Sequence, residues 1–126
     1  MERGTEGRVG TEDRSFTVQT ESSEAVERVR VLGEIDLSVV DRLDREMRRA
    51  EATGARKIEL DLDQLDFLDA SGIRLLLALD RRSRSNGGRL RIRPASSPQV
   101  RRVLEVTGVG ECLPIEPSRV PRQIPA

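Results

Sequence analysis

The chain of 126 residues contains no histidine, tryptophan or tyrosine, a single cysteine and only two phenylalanines. The lack of histidine excludes imidazole acid–base chemistry, Ser-His-Asp catalysis and most transition-metal sites. One cysteine excludes an internal disulfide framework and a cysteine-based zinc cage. Two aromatic side chains cannot form a stacking platform for single-stranded nucleic acid. We therefore expect no metal ion and no cofactor.

Long apolar runs and an excess of charge of one sign are also missing. The longest apolar run covers residues 75–79, which is far too short to span a bilayer. Residues 1–10 lack the apolar segment of a secretory signal. The 22 basic and 22 acidic side chains cancel, which argues against a general nucleic-acid binder. These absences predict a cytoplasmic protein with neither nucleic acid nor a membrane as a direct partner.

Both ends of the chain are polar. Residues 1–15 carry Val9 as their only apolar side chain beyond Met1, and residues 117–126 contain three prolines. Such segments bury too little apolar surface to offset the entropy lost on ordering. We therefore predict a flexible tail over residues 1–15, one domain over residues 16–116 and a flexible, proline-rich tail over residues 117–126.

Between the tails, apolar residues alternate with period two in several places, which predicts strands. Strands are expected around Phe16, Val29, Ile58 and Leu90, and a short last strand near Leu113. Apolar residues at helical spacing separate the later strands. The predicted order is β-β-α-β-α-β-α-β, an α/β fold in which a mixed sheet of four to five strands packs against helices.

The predicted helices have recognisable starts and stops. Ser38, Ser71 and Ser97 stand where N-cap residues are expected, and Gly54 ends the first helix. Cys112 follows the third helix, and we expect it to be a small core residue near the last strand.

Five carboxylates fall within one short stretch: Glu59, Asp61, Asp63, Asp66 and Asp69. An aspartate-based phosphotransfer enzyme of the haloacid dehalogenase or response-regulator type needs a later lysine, and none follows Lys57. A calcium loop needs oxygen ligands at alternate positions, and Leu65 interrupts that run. We interpret the cluster as a solvated polar face at the end of the sheet.

Ser71 opens the leucine-rich second helix in the run Asp69-Ala70-Ser71-Gly72. A serine at this position is adequately explained as an N-cap. The first turn of a helix also tolerates a phosphate, so the same serine is a candidate phosphorylation site. The residues alone leave both interpretations open.

Four segments together resemble the STAS domain of bacterial anti-sigma factor antagonists. The segments are LGEIDL at 32–37, LDL at 60–62, FLDASG at 67–72 with the leucine-rich helix that follows, and GGRL at 87–90 with VRRVLEVTG at 100–108. The resemblance covers residues 16–115 and implies a STAS-like fold with the element order predicted above.

The resemblance also implies a function without enzymatic activity. An unphosphorylated antagonist binds an anti-sigma factor with serine kinase activity and so frees a sigma factor. Phosphorylation separates the pair, and a phosphatase of the PP2C type resets the antagonist. Carried onto this chain, the phosphorylated residue is Ser71, and the implied partner-binding residues are Asp36, Asp69, Gly72 and Ile73.

Two other functions stay open. The chain could be a STAS scaffold or regulatory subunit of another assembly, of the stressosome or lipid-transport type. It could also be a small-ligand or nucleotide-binding domain, although it has no glycine-rich phosphate loop of the Gly-x-x-x-x-Gly-Lys kind.

Overall fold

The computed structural model describes residues 16–117, so the predicted tails lie outside the described residues, apart from Pro117. The elements are β1 Phe16–Ser22, β2 Val26–Ile35, α1 Val40–Glu51, β3 Lys57–Asp61, β4 Leu65–Leu68, α2 Ala70–Ser85, β5 Leu90–Arg93, α3 Pro98–Val106 and a short 3-10 helix Val109–Glu111.

The sheet is mixed, and β2 lies near its centre. β1 pairs with β2 in the antiparallel direction, while β3 and then β5 add in parallel on the other side. β4 lies beyond the end of β3 and pairs in parallel with the last residues of β2, from Gly33 to Ile35. The α/β class and the mixed sheet predicted from the sequence are confirmed.

β4 is the element that the sequence pattern does not predict, since no strand was expected between those around Ile58 and Leu90. Its four residues have buried ends and an exposed middle, which local periodicity does not distinguish from a loop. The register of the β2–β4 pairing shifts once: Gly33 pairs with Leu65 but Glu34 pairs with Phe67, which leaves Asp66 of β4 as the extra residue. Pairing with a distant segment therefore creates this strand.

The predicted last strand is reduced to one parallel bridge between Ile92 and Ile115. The Glu116 amide donates to the Ile92 carbonyl at 2.8 Å, so the segment still runs along β5. The expectation that Cys112 is a core residue is wrong, because its side chain is exposed. The neighbouring Leu113 is buried instead.

One apolar core lies between the sheet and the helices. Side chains along a strand alternate between its two faces, so every second residue of β2 points into this core. The fully buried side chains from β2, β3, α1 and α2 include Val29, Val31, Leu60, Leu43, Met47, Leu76 and Leu79. α1 and α2 contact each other, and α3 packs against β4. Among residues 16–117, no helix is both long and apolar enough to cross a membrane.

Helix starts were predicted with mixed success. Ser97 is the N-cap of α3, as expected, and its side chain accepts a hydrogen bond from the Val100 amide. Ser38 does not cap α1, which has Val39 as its N-cap residue without any side-chain hydrogen bond. The Ser38 hydroxyl donates instead to Asp36, because a carboxylate two residues away is a stronger acceptor.

Leu76 anchors α2 in the core and is fully buried, whereas Leu77 is half-buried. We expect Leu76→Ala to lower the free energy of unfolding by about 2–5 kcal/mol, because it removes buried methyl groups and leaves a cavity. Leu77→Ala should cost less. Urea unfolding followed by circular dichroism measures both, and equal losses for the two variants would contradict the burial described here.

A cluster of charged side chains joins α1 to α2. The Arg82 guanidinium donates to Glu51 at 2.9 Å and to Asp44 at 3.0 Å. Burial alone would raise the pKa of Asp44, but hydrogen bonds from Arg82 and Arg48 outweigh it and hold that pKa below its usual value. Asp44 therefore favours the folded state in its ionised form.

We expect Arg82→Ala to destabilise the protein by about 1–3 kcal/mol at neutral pH, since two carboxylates lose their charged partner. The folded-state pKa of Asp44 lies below its unfolded value, so its contribution is complete above about pH 4 and is lost as the pH falls through the folded-state pKa. The difference in the free energy of unfolding between wild type and Arg82→Ala should therefore shrink in urea titrations from pH 7 to about pH 3.

Arg48→Ala removes a more exposed pair and is the control, expected to change stability by less than about 0.5 kcal/mol. A difference for Arg82→Ala that is independent of pH would contradict this account.

Candidate functional site at the start of helix α2

Ser71 lies where the chain passes from β4 into α2. The helix begins at Ala70 and its N-cap is Asp69, so the prediction that Ser71 is the N-cap is wrong. The Asp69 carboxylate accepts hydrogen bonds from the Ser71 amide at 2.9 Å and from the Gly72 amide at 3.2 Å. An aspartate suits this position because its charge also complements the positive end of the helix dipole.

The Ser71 hydroxyl belongs to the same arrangement. Its Oγ donates to Asp69 Oδ1 at 2.6 Å, as expected for a hydrogen bond to a charged oxygen. This bond is the main reason that the pKa of Asp69 lies below its usual value; burial opposes it, while the amides of Gly72 and Ser71 and the charge of Arg74 support it. An anionic carboxylate therefore touches the candidate acceptor oxygen at neutral pH.

Gly72 lies on the side of α2 that faces the sheet, and the Ile73 side chain is buried. A Cβ atom at Gly72 would lie 2.3 Å from Leu68 Cδ1 and 3.0 Å from Ile35 Cγ2, so glycine permits the close approach of α2 to the sheet. Ser71 and Ile73 are each only 9% exposed. Packing explains why glycine stands here, and contact of Gly72 or Ile73 with a partner stays a prediction.

The loop after β2 repeats the geometry of the loop after β4. Asp36 Oδ1 accepts a hydrogen bond from the Ser38 amide at 2.9 Å and another from the Ser38 hydroxyl at 2.6 Å. The Asp69 amide donates to the Ile35 carbonyl at 3.2 Å, which places the two loops side by side. The structure thus brings the Asp36 loop and the Ser71 turn to one edge of the sheet. Ser38, unlike Ser71, is exposed.

Two exposed apolar side chains at this edge were missed by the sequence reasoning. Leu37 is 73% exposed and Phe67 is 42% exposed, whereas most large apolar side chains in the described residues are buried. Leu37 lies between Asp36 and Ser38 in the chain, and the Ser38 hydroxyl donates a hydrogen bond to the Asp36 carboxylate. A leucine in the middle of a tight polar turn is the signal that could have revealed it.

The carboxylate cluster does not behave as one solvated face. Glu59 and Asp61 are buried, and they pair with Arg28 at 3.2 Å and with Arg30 at 3.3 Å. The predicted solvated face is therefore wrong for these two, which lie in the middle of the sheet where arginines from β2 cover them. Asp66 is exposed, as predicted. No group of three or more potential ligands among residues 16–117 is arranged to hold a metal ion.

The family model described as "Mlab, STAS domain" matches residues 18–116, which include both loops of the site. The chain belongs to the STAS-domain family. The resemblance seen in the sequence is thereby confirmed, and the five strands and three helices fit the structures of other members.

Several relatives carry the name of anti-sigma factor antagonists. The STAS chain is 29% identical to BtrV of Bordetella bronchiseptica, a protein named as an anti-sigma factor antagonist, over 69% of this chain and 74% of BtrV. A solved antagonist from Mycobacterium paratuberculosis is 26% identical, with a TM-score of 0.71 over 83% of this chain and 88% of that one.

Two further structures show one protein in two states. The anti-sigma factor antagonist SpoIIAA in its unphosphorylated form is 26% identical with a TM-score of 0.64, over 79% of this chain and 85% of that one. The phosphorylated form of the Bacillus cell fate determinant SpoIIAA is 26% identical with a TM-score of 0.59, over 79% of this chain and 88% of that one.

The close approach at Gly72 gives a stability test. We expect Gly72→Ala to lower the free energy of unfolding by about 0.5–2 kcal/mol, because the strain of overpacking exceeds the gain in helix propensity. Gly110→Ala is the matched control: its Cβ would meet Leu104 at an ordinary 3.6 Å, so stability should stay within about 0.5 kcal/mol. Urea unfolding compares them, and a Gly72→Ala variant as stable as wild type would contradict the tight contact.

Proposed function

We propose that this chain is a cytoplasmic, non-enzymatic anti-sigma factor antagonist that phosphorylation of Ser71 switches off. In this proposal, the unphosphorylated chain binds an anti-sigma factor with serine kinase activity and frees a sigma factor. A phosphatase of the PP2C type removes the phosphate. The hydrogen bond between the Ser71 hydroxyl and Asp69 carries the proposal, because a phosphoryl group at this oxygen must break it.

The chemistry of the step follows from that bond. Transfer of the γ-phosphoryl group of ATP forms a P–O bond to Ser71 Oγ, releases ADP and removes the hydroxyl proton. Ser71 Oγ then has no proton to donate to Asp69 across the 2.6 Å contact, and the charged phosphate oxygens attached to it become neighbours of the carboxylate. At a surface-like dielectric, one pair of unit charges about 4 Å apart repels by roughly 4 kcal/mol, and phosphoserine carries about −1.5 to −2 charges.

The backbone amides at the start of α2 do not compensate for this repulsion. The Ser71 and Gly72 amides already donate to Asp69, so they are not free to bind a second anion. The phosphate is therefore pushed outward, toward the surface on which a partner would bind. Burying such a charge without a matching cation costs several kcal/mol, whereas only about 1.4 kcal/mol weakens binding tenfold.

Leu37 and Phe67 supply the apolar part of the proposed partner surface. Both are exposed at the edge of the sheet that carries the Asp36 loop and the Ser71 turn. Burying a large apolar side chain contributes about 1.5–3 kcal/mol, and a few such residues commonly dominate an interface. We infer that the partner covers these two side chains and contacts the adjacent loops. Asp36 and Asp69 would then mark the polar rim of that interface, as the family resemblance implies.

A second candidate is a regulatory subunit of another assembly, because the family description names Mlab as well as STAS.

A small-ligand domain is less well supported. A surface cleft of about 300 Å³ lies beside the other end of α2, with Arg84 and Arg91 in its lining. Arg84 already pairs with Asp80, and Arg91 donates to backbone carbonyls. Both arginines are therefore already engaged by groups of the protein, and neither is free to bind an anionic ligand.

Binding and phosphorylation should separate at Ser71. Ser71→Ala loses one hydrogen bond, so it should cost about 1 kcal/mol of stability and still bind the anti-sigma factor. Ser71→Asp places a carboxylate beside Asp69 and should bind at least about tenfold more weakly. Neither variant should gain a phosphoryl group. Titration calorimetry against the anti-sigma factor of the same organism, and intact-mass analysis after incubation with that kinase and ATP, provide the readouts.

Ser38→Ala is the matched control, because Ser38 has the same hydrogen-bonding geometry and is more exposed. It should be phosphorylated like wild type. If Ser71→Ala is still labelled while Ser38→Ala is not, the acceptor is Ser38. If wild type binds no anti-sigma factor and instead purifies with another assembly, the second candidate function is favoured.

A further inference from the structure

Arg74 is the cation nearest in sequence to the candidate acceptor. No lysine or arginine other than Arg74 occurs between Lys57 and Arg81. It lies three residues after Ser71 in α2, and side chains three apart are neighbours on a helix surface. Helical side chains lean toward the N-terminus, so the long side chain of Arg74 extends toward the first turn.

The Arg74 guanidinium acts on the site without being tied to it. Arg74 is exposed, and it forms no ion pair or side-chain hydrogen bond within the described part of the chain. Its charge is nevertheless close enough to help lower the pKa of Asp69, after the larger effect of the Ser71 hydroxyl. By contrast, Arg82 and Arg84 on the same helix are engaged in ion pairs.

We propose that Arg74 is the residue that binds the phosphoryl group once Ser71 is phosphorylated. This inference rests on the proposed function, because it concerns the phosphorylated state of the same site. A guanidinium can donate two parallel hydrogen bonds to phosphate oxygens, which the occupied amides at Ser71 and Gly72 cannot do. Arg74 thereby offsets part of the repulsion from Asp69 and holds the outward-pointing phosphate at the exposed surface of α2.

Binding by Arg74 has a measurable consequence that a merely structural role lacks. A neighbouring cation favours the dianionic form of the phosphate and lowers its second pKa, which is about 6 in a free phosphoserine. The neighbouring Asp69 acts in the opposite direction. Replacing the guanidinium with a neutral group should therefore raise that pKa, and the effect should weaken at high salt because the site is exposed.

The experiment uses the full chain with the replacement Ser71→phosphoserine installed during translation, and follows the phosphate by ³¹P NMR as a function of pH. In this phosphoprotein, Arg74→Gln should raise the pKa of the phosphate by about 0.5 at low salt. Arg74→Lys keeps the charge and should restore most of the original value. Arg81→Gln is the matched control, since Arg81 is an exposed arginine about 10 Å farther along the same helix, and it should change nothing.

An unchanged phosphate pKa in Arg74→Gln, or an equal rise in Arg81→Gln, would overturn the inference. Because the glutamine keeps most of the side chain and the position is exposed, loss of folding is not expected, and thermal unfolding of each variant checks this. The titration needs no kinase. If no kinase labels Ser71, the proposed function fails, while the NMR result still decides the role of Arg74.

Discussion

The carboxylate of Asp69 connects the sheet, the helix and the candidate acceptor. Asp69 directly follows β4, and its carboxylate caps α2 by accepting hydrogen bonds from the Ser71 and Gly72 amides and from the Ser71 hydroxyl. Its own backbone amide bonds to Ile35, which ties this turn to the end of β2. A single side chain therefore sets both the direction of α2 and the environment of Ser71. A change in charge at the Ser71 hydroxyl therefore acts directly on the Asp69 carboxylate, which caps the helix.

The location of the site follows from the parallel pairing of β2 with β4. Parallel strands end at the same edge of a sheet, so the loops that follow them become neighbours although they are 33 residues apart in the chain. The two loops use the same Asp-x-Ser hydrogen bonds, which hold them tightly and leave Leu37 exposed. Rigid turns that present an apolar side chain suit recognition, since little conformational entropy is lost when a partner binds.

Two arginines of α2, Arg82 and Arg74, differ in what surrounds them. At the far end of the helix, Arg82 is enclosed by Glu51 and Asp44 and contributes to the packing of α1 on α2. Near the start, Arg74 faces an aspartate that is already satisfied by two amides and a hydroxyl. The first arrangement is complete in the resting protein. In the proposed mechanism, a phosphoryl group on Ser71 completes the second arrangement, which links charge at Ser71 to the position of Arg74.

Local sequence was sufficient for the α/β class, the three helices and the Ser97 cap, because periodicity and capping are properties of neighbouring residues. The motif around Ser71 also pointed to the candidate acceptor. Only the tertiary structure decided that residues 65–68 form a strand, since the end of β2 supplies its pairing partner. It also decided that Asp69, rather than Ser71, caps α2, and that Asp61 is buried beneath an arginine. Each of these depends on a distant backbone or side chain, and no pattern of neighbouring residues contains that information.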